Sequence, residues 1–278
     1  MILSDFFQLS ETKAQTHSWT LVSHDPAVSP VDALAKALAE RIMEHLCRGC
    51  PQHYRAWRQC ADDGTPPSST SRAALNALIK SIFGLPENPE AVPLDHLEGT
   101  VSELLWYFLC LEAPTEEIVR VEPPGFKSTD PGGDALVIHR MPQGYLMFRL
   151  WEMKKLVKRR DTSSATVSST VNTAYNQLNA KATEYLARYT TIGQELPDAE
   201  LAEFYSKLIE FWVEARPEAA AGVSVTTSVE HIPQRCFTTF SQQFPRFVDP
   251  VRLRGMLTAV GDFPAFALKV RESIWTGL

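Results

Sequence analysis

The chain opens on MILSDFFQLSETKAQ, which lacks a basic start followed by a long apolar run, and no later apolar stretch approaches the roughly 20 residues of a membrane-spanning helix. A cytoplasmic protein with no membrane partner is the expectation. Cysteine is scarce and its number is odd: Cys47, Cys50, Cys60, Cys110 and Cys236 in 278 residues. Without a secretion signal, that set reads as reduced thiols and not as a disulfide framework. G-x-S-x-G, G-x-x-x-x-G-K-[ST] and G-x-G-x-x-G are all missing. Their absence removes serine hydrolases of the nucleophile-elbow kind and the glycine loops that cradle phosphates. Positive charge is not in excess either; 27 Lys and Arg stand against 33 Asp and Glu, a net charge of −6. No basic coat holds nucleic acid by counterion release alone.

The composition, 44% hydrophobic and 22% charged, is that of a globular protein able to bury a substantial core. Charge is nonetheless uneven. Arg149, Lys154, Lys155, Lys158, Arg159 and Arg160 gather within a dozen residues, against only Glu152 and Asp161. Such a run is either a binding surface or a solvated face.

HSWTLVSH reads as a strand and VDALAKALAERIMEHL as a helix after the connection from Asp25 to Pro30. DDGTPPSSTS marks a loop, with a boundary plausible near residue 65, and SRAALNALIKSIFG a helix stopping at Gly84. The three prolines of LPENPEAVP prevent its continuation. DHLEGTVSELLWYFLCLE follows as a strongly apolar helix, and then IVRVE, DALVIH and YLMFRLWEMK as strands. Val171, Ala174, Tyr175, Leu178, Ala182, Tyr185 and Tyr189 mark one face of a long helix after them. ELAEFYSKLIEFWVEAR continues as helix, AGVSVTTSV as a strand, and Asp249 to Trp275 as two short helices broken around Gly261 and Pro264.

Within this frame four residues carry chemistry. Glu103 is the only ionisable side chain in VSELLWYFLCL, so it sits at a boundary or is held inward by a partner. Asp134 follows two glycines, which lets a sharp turn deliver its carboxylate at the start of an apolar strand. Glu152 and Lys154 stand two apart, which on a strand puts both on one face about 7 Å from each other. Hard carboxylate oxygens hold Mg²⁺, the metal activates water, and a lysine polarises the nucleophile, so the set suits phosphodiester hydrolysis.

Helix Glu, strand Asp and strand E-x-K, in that order over roughly residues 98 to 190, resemble the PD-(D/E)XK, restriction-endonuclease-like superfamily. The resemblance implies an α/β fold: a core with a small mixed sheet flanked by helices, and helical N- and C-terminal extensions. It implies Asp134 and Glu152 as Mg²⁺ ligands (Mn²⁺ substituting), Lys154 as the catalytic lysine, and Glu103 as a further ligand or water-orienting base. Members related to the RecB nuclease carry a glutamine on the next helix, where Gln177 stands; Lys181 occupies their tyrosine position and Tyr185 comes a turn later. More narrowly, EGTVSELLWYFL, FKSTDPGGDALVIH and a strand ending in E-x-K resemble the HamA family of nuclease subunits of Hachiman-type antiphage defence. That implies DNA as substrate and a helicase as partner. The alternative is a catalytically silent nuclease-like module that binds nucleic acid or docks a helicase. Residues 1–95 are expected as a mixed region for partner docking, and 96–278 as the nuclease core with its extension.

Other features compete for a role. Cys47, Cys50, His53 and Cys60 could close a structural Zn²⁺ site, or serve as small buried groups. His139 is expected as a strand-end histidine satisfied by backbone, and Phe204, Tyr205, Phe211 and Trp212 as helix core.

Overall fold

Apolar side chains on both faces of a strand require a layer of helices on each side, and the central strands of this chain are of that kind. A computed structural model describes residues 2–112, 117–124, 135–157, 165–233, 235–247 and 249–278. In chain order the elements are β1 (Phe7–Lys13), β2 (Ser18–His24), α1 (Val31–Leu46), α2 (Pro51–Asp63), α3 (Ser69–Phe83), α4 (Leu94–Glu112), β3 (Ile118–Glu122), β4 (Ala135–Arg140) and β5 (Leu146–Leu156). There follow α5 (Val167–Gly193), α6 (Ala199–Ser206), α7 (Leu208–Val213), β6 (Ala219–Thr227), α8 (Phe240–Gln243), β7 (Leu253–Ala259) and α9 (Phe263–Trp275).

The strands form one mixed sheet in the order β1-β2-β7-β6-β5-β4-β3. β3, β4 and β5 make an antiparallel meander, whose β4–β5 turn closes at Gly144 with φ of 90°. α5 then returns the chain so that β6 runs parallel to β5, and β7 and β2 continue the parallel part. Seven strands correct the expected small sheet; the α/β class stands. β1 and β2, from the first 25 residues, belong to the same sheet through the pairing of β2 with β7.

Each face has its own core. On one, Trp151 and Met153 of β5 pack with α4, α1 and α9, in a cluster that runs from Leu3 to Ile274. Trp106 meets Trp151 at 5.2 Å between ring centres, and Trp151 lies over Gly222 of β6, where a Cβ would stand 2.3 Å from the ring. On the other, Phe148, Leu150 and Leu156 pack against α5, α6 and α7, including Phe204, Tyr205, Phe211 and Trp212 as expected.

Two stretches differ from the sequence reading. Leu253–Ala259 is a strand, not a helix, because it lies between β2 and β6 and is covered on both sides; Gly255 there accommodates the Phe237 ring. Pro51–Asp63, taken above only as a cysteine-bearing segment, is a helix started by Pro51 and stopped by Gly64 at φ 76°.

Candidate active site

Strand alternation divides the end of β5 between the two faces. Trp151, Met153 and Lys155 point to the α4 side, while Glu152 and Lys154 project to the α5 side, in register with Val223 and Val225 of β6. The Glu152 carboxylate is fully buried, and the Lys154 ammonium, 26% exposed, donates to its Oε1 at 2.6 Å. The expected same-face pair is therefore present as a contact. Burying a carboxylate costs several kcal/mol unless it is paired and hydrogen-bonded. Because both residues sit on one strand, their bond joins no two elements of the fold. It places an acid and an ammonium at the rim of a buried strand end.

A second carboxylate–lysine cluster lies through the sheet. Lys155 donates to Asp95 Oδ1 at 2.9 Å, to Glu98 Oε2 at 3.0 Å and to the Asp95 carbonyl oxygen. Glu98 is fully buried. Beside it, Ser102 of α4 donates to Thr226 of β6 at 2.8 Å. Glu98 escaped the sequence reading although its signal was there: Glu98, Ser102, Leu105 and Leu109 recur at helical spacing as the inward face of α4. Glu103, half-buried, is on the same helix, which packs on the face opposite the one to which Glu152 and Lys154 point.

The other predicted residues fall as follows. Asp134 lies outside the described residues; Ala135, the first residue of β4, pairs with Trp151, next to Glu152. Gln177 is on α5, on the Glu152 side of the sheet, and donates to the Tyr185 hydroxyl at 3.0 Å, so the glutamine and tyrosine meet two helical turns apart. Arg149, counted above among a basic run, is no surface cation: it is 1% exposed on the α4 side and donates to Val251 O at 2.7 Å and to His139 Nε2 at 3.1 Å. His139 is thus met by a side chain, not only by backbone. These two residues, with Thr20, Trp151 and Arg254, line a largely apolar cleft. Lys158, Arg159 and Arg160 lie outside the described residues.

The cysteines and His53 make several separate contacts. Cys47 is buried at the end of α1, where burial and the neighbouring Cys50 thiol push its own thiol up to about 12. His53 Nδ1 meets Ser71 Oγ at 3.3 Å and Cys60 donates to Thr276 O at 3.6 Å. The described residues include no group of three or more His, Cys, Asp or Glu placed to hold a metal, and their five cysteines are free thiols. Nor is any described helix long and apolar enough to cross a membrane.

Compared with models of known families and with curated proteins, the chain matches none.

Proposed function

We propose that this chain is a metal-dependent DNA nuclease with a PD-(D/E)XK core. The observation that carries the reading is the Glu152–Lys154 pair: a buried carboxylate bonded to a rim ammonium two residues along, on a central strand. Its setting supports the reading too. A helix, an antiparallel meander ending in E-x-K and a further helix succeed one another, the order on which the resemblance rests.

The donor chemistry fits a hard divalent cation. Glu152 supplies a buried carboxylate oxygen, and the resemblance adds Asp134 as the second ligand; Glu103, on the helix that packs on the opposite face of the sheet, is not assigned to it. When bound, Mg²⁺ or Mn²⁺ supplies an activated water and neutralises charge developing on the phosphate. Lys154 holds a proton-donating ammonium against Glu152 and orients the attacking water. Gln177, fixed by Tyr185, faces the same side and positions substrate. No step is assigned to Cys47, Cys50, His53 and Cys60.

On the narrower resemblance the chain works in the cytoplasm as the effector of an antiphage complex with a helicase. A second reading, a silent nuclease-like module, is favoured by one observation: the Glu152 carboxylate is closed off from solvent. Digestion of plasmid and linear DNA with Mg²⁺, Mn²⁺ or EDTA separates the two. The nuclease reading expects metal-dependent cleavage that Glu152→Ala and Lys154→Ala abolish. Cleavage untouched by both substitutions overturns it.

A further inference from the structure

The apolar cleft on the α4 side of the sheet has no part in the nuclease reading, and what it can hold is independent of that reading. Strand register explains why it exists. Trp151 of β5 and Arg254 of β7 are both neighbours of Gly222, on the strand between them, so the three share one face of the sheet. Gly222 raises no side chain there, and the indole of Trp151 lies on its bare backbone. α4 ends at Glu112, with Leu109 and Cys110 of its last turns along one side of the cleft; Val22 of β2 and Leu9 of β1 line it as well.

Into this apolar frame the chain places two arginines. Arg149 is buried, its guanidinium carbon 6.0 Å from the centre of the Trp151 ring, and it donates to His139 Nε2 and to Val251 O. The Arg254 side chain, 12% exposed, meets Thr20 Oγ1 at 3.4 Å and, at 3.3 Å, a carboxylate oxygen of Glu11 on the exposed edge strand. Among the described residues that line the cleft there is no Asp or Glu. Trp151 adds an indole N–H that is buried with no hydrogen-bond partner among the described residues. The cleft measures about 70 Å³, several times the roughly 10–15 Å³ that one water needs. That is room for a small organic group and not for a chain segment.

We propose that this cleft binds a small organic anion, a carboxylate or phosphate group on a short apolar body. Arg149 and Arg254 hold the head, since a guanidinium fork matches either group. The apolar body lies against Trp151, Val22 and Leu109, in the manner of pockets that combine apolar walls with a few convergent polar groups. Two cations beside a low-dielectric wall favour a negative guest, and Glu11, the exposed partner of Arg254, gives way to it.

The test is titration of the full chain, without DNA or metal, with butyrate, monobutyl phosphate, butanol and inorganic phosphate, followed by ligand-observed NMR. One of the two butyl anions is expected to bind at least tenfold more tightly than butanol and than inorganic phosphate, and the better of them identifies the head group. Arg254→Gln is expected to weaken that binding roughly tenfold, the effect of losing one charge-assisted bond. Cys110→Phe, a larger side chain at a half-buried wall position, is expected to abolish it. Arg48→Gln, at an exposed arginine beyond the end of α1, is the control and stays within twofold of wild type. Melting temperatures show which variants are folded, and if Arg254→Gln is not, Cys110→Phe decides alone. Butanol binding as tightly as the anions, anion binding that survives in the folded variants, or no binding of either butyl anion overturns the site.

Discussion

Two adjacent lysines of β5 face opposite sides of one sheet, and each meets a fully buried glutamate: Lys154 with Glu152, Lys155 with Glu98. The difference is in what each bond connects. Lys155 reaches from the strand to two carboxylates of α4 and so fastens a helix to the sheet. Lys154 reaches two residues back along its own strand. A bond that spans elements ties the fold together, whereas a bond within one strand does not, and a buried carboxylate paired with an ammonium at a strand end is a candidate for chemistry.

The comparison breaks most sharply on activity. Glu152→Gln keeps the shape and removes the charge; cleavage is expected to fall by about 10³-fold in a protein that melts where the wild type does. Glu98→Gln is expected to leave the cleavage rate of folded protein within about threefold. DNA digestion beside thermal melting reads both. Loss of cleavage in a well-folded Glu98→Gln variant, with Glu152→Gln still active, exchanges the roles of the two sides.

Stability gives the next contrast. Lys155→Met leaves Glu98 of α4 buried without its Lys155 bond, and about 2–3 kcal/mol of unfolding free energy is expected to be lost, moderated because Lys155 is 18% exposed. Adding Glu98→Gln removes the stranded charge and recovers most of that loss, a coupling that a double-mutant cycle in urea measures. Independent, additive losses contradict the clamp.

The sequence announced one side of this comparison and concealed the other. Period-two spacing makes Glu152 and Lys154 neighbours on any strand, so that pair was legible without knowing what covers it. The partnership of Lys155 with Asp95 and Glu98 spans 60 and 57 residues and exists only because α4 lies across that face. Helices with strong apolar stripes and the three strands of the meander were equally legible. β7 was not: LRGMLTA mixes Arg254 and Thr258 with apolar residues and is buried or half-buried along its whole length, so only its place between β2 and β6 makes it a strand. β1 hid for the opposite reason, since it is an edge strand exposed beyond Phe7 and carries no alternation.

The smallest expected effect concerns acid. His24 and His45, both associated with the α4 side, are held below the ordinary histidine value first by burial; His24 lies against Phe7 and His45 against Tyr107. A histidine lowered in the folded state binds its proton more readily when unfolded. Its cost is absent above the unfolded value near 6.5 and grows as pH falls through it towards the folded value, by at most about 1.4 kcal/mol per unit of lowering. Stability measured by urea unfolding is therefore expected to drop modestly from pH 7.5 to 5.5, and His24→Gln/His45→Gln to flatten that slope. The α5 side has its own lowered histidine, His17 beside Phe240. If His17→Gln flattens the slope as much as the double variant does, acid acts on both layers alike.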